Sequence, residues 1–234
     1  MYAKPLFLNF LTFFLLITSI HAQTIQMKPK ILYIYDPLCG WCYGFTPIMQ
    51  QLSQEFTNDF EFDVISGGMV VGRNEGPITN IAPYISEAFK NVEAATGIKF
   101  GDNFLKNRLW DADYRMSSVK PSIALEVFKS IIPAKAVDFA HDIQHAFYFD
   151  GKSLESNQTY LELIKKYEID PNLFLSGLDN EEFRQKTFEE FKKSATLGVN
   201  GFPTVIFIRW DKSVVLSRGY INKIELAKQL IKYK

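Results

Sequence analysis

The chain has 234 residues, 47% of them hydrophobic, which is enough for one domain with a sizeable core or one domain carrying an insertion. Lysine plus arginine and aspartate plus glutamate both number 26, so the formal net charge of zero gives no pull towards nucleic acid or an anionic membrane surface. There are two cysteines, no internal repeat, and no low-complexity segment after the N-terminal leader.

Residues 1–22 read as a secretory signal. Lys4 precedes an uncharged run from Pro5 to Ile20, and Ala22 is a small residue suited to cleavage. The run falls short of the roughly 20 apolar residues that span a bilayer and is broken by Asn9 and Thr12. Cleavage near Ala22 is expected, with an uncleaved N-terminal anchor as the alternative. Export places the protein in the periplasm or another compartment where disulfides form and persist.

Ile31–Tyr35 reads as a buried strand, and Phe45, Ile48, Met49, Leu52 and Phe56 have helical spacing. Between them lies Asp36-Pro37-Leu38-Cys39-Gly40-Trp41-Cys42-Tyr43-Gly44, so the two cysteines sit where a strand hands over to a helix. At the helix start, unpaired backbone N–H groups and the positive end of the helix dipole favour a thiolate on Cys39. Cys42 falls one turn later on the same face, within bonding reach of Cys39, so the pair can cycle between dithiol and disulfide. Zinc needs about four ligands and no second cysteine pair exists, so no metal site is expected. An inert bridge would close so short a loop that it restrains little of the unfolded chain.

Phe60–Ser66 alternates as a second strand ending at Gly67-Gly68, and the strand–helix–strand unit implies two parallel neighbours in one sheet. Pro47 inside the connecting helix cannot donate its N–H, which partly uncouples the cysteine-bearing turn from the rest. From about Ile78 to Leu197 the pattern is helical. Ile81, Tyr84, Ile85, Ala88 and Phe89 share one face, and further faces follow between Ile123 and Tyr167, punctuated by Gly97, Ser117 or Ser118, Pro133, Gly151 and Asp170-Pro171. His141 and His145 share a face but have neither the glutamate nor the third ligand of a zinc helix. Asn157-Gln158-Thr159 fits a glycosylation acceptor and, more simply, a helix cap at Asn157. The phenylalanines read as core, with a surplus at a binding groove as the other use.

Gly198-Val199-Asn200-Gly201-Phe202-Pro203-Thr204 places a proline directly before a β-branched strand, at an edge or in a tight turn. Thr204–Arg209, a turn at Trp210-Asp211-Lys212, Ser213–Ser217 and an amphipathic helix from Asn222 to Lys232 complete the chain.

The paired stretches, Asp36-Pro-x-Cys39-Gly-Trp-Cys42-Tyr-Gly44 and Gly198-Val-x-Gly201-x-Pro203-Thr204, together with Ala146-Phe147-Tyr148-x-Asp150-Gly151-Lys152, resemble the DsbA family of the thioredoxin superfamily. The resemblance implies an α/β thioredoxin fold, a βαβ–ββα unit with a mixed central sheet, carrying an inserted all-helical domain. Residues 31–76 and 198–234 would form the thioredoxin-like part and 77–197 the insertion, its last helix, at about 180–197, packing back on the thioredoxin part. It also implies that Cys39 is the exposed nucleophile, Cys42 the buried resolving thiol, Pro203 a cis proline facing the sulfurs, and Phe202 a backbone partner for an extended substrate. Gly40 and Trp41 would tune the Cys39 thiolate. Many relatives carry an acid at the position of Tyr33, which leaves Asp36 as the nearest acidic side chain in sequence.

The expected activity is an exported, monomeric thiol–disulfide oxidoreductase that passes its Cys39–Cys42 disulfide to folding proteins, with no other cofactor and a quinone-linked membrane protein as reoxidant. The alternatives are a reductase or isomerase running the cycle in reverse, a glutathione-dependent transferase or isomerase of the kappa type acting on a small molecule, and a non-enzymatic binding module.

Overall fold

The apolar run Ile31–Tyr35 becomes a central strand because both of its faces are covered. In the computed structural model, which describes residues 28–234, β1 (Lys30–Tyr35) is buried from Ile31 onward. The leader expected over residues 1–22 lies outside the described residues. Ile31, Tyr33 and Tyr35 join the large core with Phe45, Met49 and Leu226, while Leu32 and Ile34 meet Ile65, Ile206 and the flanking Leu197 and Val199. A strand buried on both sides reads as a continuous apolar run, which is what the sequence carries.

α1 (Gly40–Glu55) follows, then β2 (Glu61–Ser66), parallel to β1 with Tyr33 opposite Val64. Far downstream, β5 (Thr204–Arg209) and β6 (Lys212–Arg218) form a hairpin, and β5 runs antiparallel to β1 with Tyr33 opposite Val205. The order β2-β1-β5-β6 gives the mixed sheet of a thioredoxin fold. It closes with a helix at Lys223–Ile231, whose N-cap Asn222 accepts the Glu225 N–H at 3.0 Å.

The chain between β2 and β5 is mostly helical, but it also holds a two-strand ladder that the expectation of an all-helical block missed. β3 (Gly76–Pro77) pairs with β4 (Arg115–Met116), and strands of two residues leave no periodic signal. The helices are α2 (Ala82–Thr96), α3 (Val119–Ile131), α4 (Ala136–Tyr148), α5 (Asn157–Ile164), α6 (Pro171–Leu178) and α7 (Glu181–Thr196), with α8 the closing helix already described. Asp170 caps α6 through the Leu173 N–H at 2.8 Å, and Gly97 ends α2 with φ +77°. The N-cap of α5 is Ser156, one residue before the expected Asn157, which is instead the first helical residue. His141 and His145 do share a face of α4, their rings 5.9 Å apart, and no group of three metal-ligating side chains occurs among the described residues. Nor is any described helix long and apolar enough to cross a membrane.

One contact holds the block together and another locks it to the sheet. Phe128 of α3 stacks on Phe139 of α4 at 4.1 Å, with Tyr167 edge-on to Phe128. Between α3, α7 and the edge strand β2, the Lys129 ammonium lies 2.5 Å from Glu190, 2.6 Å from Glu126 and 3.6 Å from Asp63. The other Glu190 oxygen accepts the Ser66 N–H at 3.1 Å and so satisfies a donor on the sheet edge.

Candidate active site

The turn from β1 into α1 is held by Asp36. Its carbonyl accepts the Cys39 N–H at 3.1 Å, closing the Asp36–Cys39 turn around Pro37. Its carboxylate accepts the Leu38 N–H at 2.9 Å and the Ser118 hydroxyl at 2.9 Å through one oxygen, and the Met69 N–H at 2.7 Å through the other. Asp36 therefore ties the cysteine turn to the segment after β2 and to the start of α3. It is fully buried, and burial pushes its carboxyl up from 3.8 to about 6 against those hydrogen bonds.

A stability step follows from this shift. The unfolded carboxyl ionises near 3.8 while the folded one stays protonated until about 6, so the Asp36 contribution is full below pH 4 and falls away as pH rises through 6. At 1.36 kcal/mol per pH unit the step is roughly 3 kcal/mol. Urea unfolding of the natural protein and of Asp36→Asn between pH 4 and pH 7 should show their stability difference moving by about that amount in favour of the variant. A difference that stays flat with pH contradicts the assignment.

Cys39 is the N-cap residue of α1, with an extended backbone (φ −97°, ψ 112°), and its carbonyl accepts the Tyr43 N–H at 3.1 Å. The expectation of an openly exposed nucleophile is corrected: Cys39 is only 7% exposed, because Leu38, Met69, Phe100 and Tyr148 wall the cleft at whose floor it lies. Trp41, at 37%, is the exposed member of the tetrapeptide and leans on Tyr220. Cys42 is fully buried one turn below. Burial pushes its thiol well up, a hydrogen bond with Cys39 adds to the rise, and a backbone hydrogen bond from Asp36 works the other way. Both cysteines are thiols in this structure.

Across from the pair, the Phe202–Pro203 peptide bond is cis, and the Phe202 carbonyl accepts the Cys39 thiol at 3.7 Å. The ring of Phe202 fits there because Gly67 has no side chain: a Cβ at Gly67 would lie 1.9 Å from it. Cys39, Gly40, Trp41, Cys42 and the Phe202–Pro203 pair, 163 positions away in the chain, are thus brought together, with Asp36 beneath them.

Beside Cys39 runs a cleft of about 290 Å³. Its far wall is Ile81, the N-cap residue of α2, with the Tyr84, Ile85, Ala88 and Phe89 face of that helix. That stripe reads as core from spacing alone, yet Tyr84 is 73% and Ile81 40% exposed, and among the described residues no charged side chain lines the cleft. A larger cleft of about 790 Å³ near Lys28, Phe60 and Asp138 contains neither cysteine.

Several supporting residues have no motif. Tyr33, where an acid was the usual residue by resemblance, is fully buried, its hydroxyl 3.0 Å from that of Thr46. Thr46 contacts the Gln144 amide, and Ser118 holds Asp36. Only a buried polar residue on an otherwise apolar helix face could have flagged Gln144.

A family model described as thioredoxin matches residues 32–216 of the chain. Among curated proteins, the ClpXP adapter protein SpxH of Halalkalibacterium halodurans is 20% identical over 191 residues, covering 78% of this chain and 60% of that protein's length. Among solved structures, a candidate protein disulfide isomerase from Nitrosomonas europaea superposes with a TM-score of 0.77 at 23% identity, over 88% of this chain and 97% of that one. The cytosolic disulfide reductase DsbM from Pseudomonas aeruginosa does so with a TM-score of 0.70 at 26% identity, over 80% and 89% of the two chains.

Proposed function

The chain belongs to the thioredoxin family, and on that premise we propose that it works as a DsbA-like thiol–disulfide oxidoreductase with Cys39 and Cys42 as its redox couple. The observation that carries the reading is the juxtaposition at Cys39. Its sulfur sits at the N-terminus of α1, at the floor of an open cleft, with the buried Cys42 thiol behind it and the Phe202 carbonyl in front.

In the oxidising direction a substrate thiolate attacks Cys39 of the disulfide. The substrate–Cys39 bond forms, the Cys39–Cys42 bond breaks, and Cys42 leaves as a thiolate that takes up a proton from solvent. A second substrate thiolate then attacks its own sulfur in the mixed disulfide and releases Cys39 as the thiolate, so the substrate loses two electrons and the enzyme gains them. Phe202 offers backbone pairing to an extended substrate, and Pro203 presents no N–H that would compete. Combined with the leader expected over residues 1–22, this describes an exported dithiol oxidase of folding proteins, reoxidised by a quinone-linked membrane protein.

A second direction, disulfide reduction, is favoured by two observations. Among the described residues no cationic side chain lines the cleft, and a cation beside the attacking sulfur is one of the features that make such a pair oxidising. The similarity to a disulfide reductase points the same way. Incubating the oxidised protein with a reduced, unfolded substrate, and the reduced protein with a disulfide-bonded one, separates the two. Faster turnover of the reduced substrate supports the oxidase reading, and the reverse order replaces it with the reductase.

The uncharged cleft fits apolar segments of unfolded chains. Tyr84→Asp and Ile81→Asp should raise KM for an unfolded protein substrate about fivefold or more, roughly the 1 kcal/mol expected of a desolvated contact. The effect on exchange with glutathione, too small to span the cleft, should be weaker. Equal effects on both would argue against protein substrates docking there.

A further inference from the structure

A chain of neutral, fully buried groups runs beneath the cysteine turn, where a carboxylate was the usual partner by resemblance. Gln144, Tyr33 and Thr46 are each 0% exposed. The Gln144 Nε2 donates to the Asp36 carbonyl at 3.2 Å, which turns its Oε1 towards Thr46, whose hydroxyl lies 2.7 Å away. The same hydroxyl is 2.8 Å from the Cys42 carbonyl, and the Tyr33 hydroxyl is 3.0 Å from Thr46 and 3.4 Å from that carbonyl. The chain thus begins at the residue that opens the cysteine turn and ends on the Cys42 backbone, and its first link, Gln144, comes from α4.

Pro47 gives this chain something to do. Lacking an N–H, it leaves the Tyr43 carbonyl without its helical donor, so the turn that carries Cys42 has one tie fewer to the rest of α1. Lateral hydrogen bonds tie Thr46, four residues after Cys42, to β1 through Tyr33 and to α4 through Gln144. Orientation of the second sulfur matters because closing the disulfide is an intramolecular reaction whose rate follows how often the two sulfurs are aligned.

We propose that Gln144 and Thr46 are positioning residues for Cys42, holding it in the orientation from which it attacks Cys39. The inference rests on the thiol-exchange reading above. In the closing step the Cys42 thiol gives its proton to solvent, and the thiolate attacks Cys39 Sγ of a mixed disulfide with glutathione. The Cys39–Cys42 bond forms, the Cys39–glutathione bond breaks, and glutathione leaves as a thiolate that is protonated by water.

The test loads Cys39 of the full protein with glutathione and follows its release, alongside the equilibrium constant of the pair with glutathione. Thr46→Val and Gln144→Leu should slow release at least tenfold and make the disulfide about tenfold easier to reduce, about 30 mV. Thr46→Ser, which restores the hydroxyl, should recover most of both. A purely structural role would lower the melting temperature and leave rate and constant within twofold well below it. That result, in the folded variants, overturns the proposal. If Gln144→Leu does not fold, the Thr46→Val and Thr46→Ser pair decides alone. Release that never occurs in the natural protein refutes the thiol-exchange reading itself, whereas normal release there with equal release in the variants refutes only the positioning role.

Discussion

Cys42→Ala is expected to accumulate substrate proteins covalently bound through Cys39, while Cys39→Ala loses disulfide exchange by roughly 10³-fold or more, the scale on which removing an attacking group acts. The asymmetry comes from burial. Cys39 keeps 7% exposure at the cleft floor and Cys42 has none, so an incoming sulfur reaches only Cys39. With Cys42 removed, no internal thiol can resolve the mixed disulfide, and the adduct waits for an external one. Non-reducing electrophoresis and intact mass should show high-mass species that disappear on reduction and are absent from the Cys39→Ala and double variants. Equal trapping on either single variant would mean that both sulfurs are accessible, against the geometry.

Lys129→Met is expected to destabilise the fold by about 3–5 kcal/mol, the usual cost of stripping the counter-charge from buried carboxylates. Lys129 is the cation shared by Glu190, Glu126 and Asp63 where α3 and α7 meet the edge strand, and removing it leaves three acids facing one another. The pH dependence has a definite sign. Burial pushes the Glu190 carboxyl up, Lys129 draws it back, and Glu126 adds to the rise. A carboxyl whose folded pKa lies above its unfolded value supports the fold below the unfolded pKa and loses that support as pH rises through the folded one. Without Lys129 the rise is larger, so the deficit of Lys129→Met should be greatest at neutral pH and shrink on acidification. Chemical denaturation across pH 4.5 to 8 checks both magnitude and trend, and a deficit that widens in acid would contradict the cluster's role.

Much of this was legible in the sequence, and the omissions have physical reasons. The cysteine turn is readable because three local signals coincide: an apolar β-branched strand, an Asp-Pro turn, and helical spacing beginning at Phe45. The opposing proline loop is readable only by resemblance, since nothing local says that Phe202, just before Pro203, meets Cys39 163 positions away. The face of α2 shows the limit of periodicity. Spacing identifies Ile81, Tyr84, Ile85 and Phe89 as one apolar stripe but cannot tell whether it meets a core or an open cleft. Thr46 and Gln144 were invisible because their partners are backbone carbonyls, the Tyr33 hydroxyl and each other, brought together from β1, α1 and α4, and no local spacing marks such a meeting. The degree to which Cys39 is covered depends on Phe100 and Tyr148, brought in from the insertion, and no reading of its own neighbourhood supplies it.

The most direct test of the account is a redox titration of the purified protein in glutathione buffers, followed by intact mass. The account predicts one reversible transition in which the natural protein loses two hydrogens as Cys39 and Cys42 join, and which neither single cysteine variant shows. A protein that stays in the dithiol form across the whole range, or that is oxidised only to species joining two chains, would contradict it.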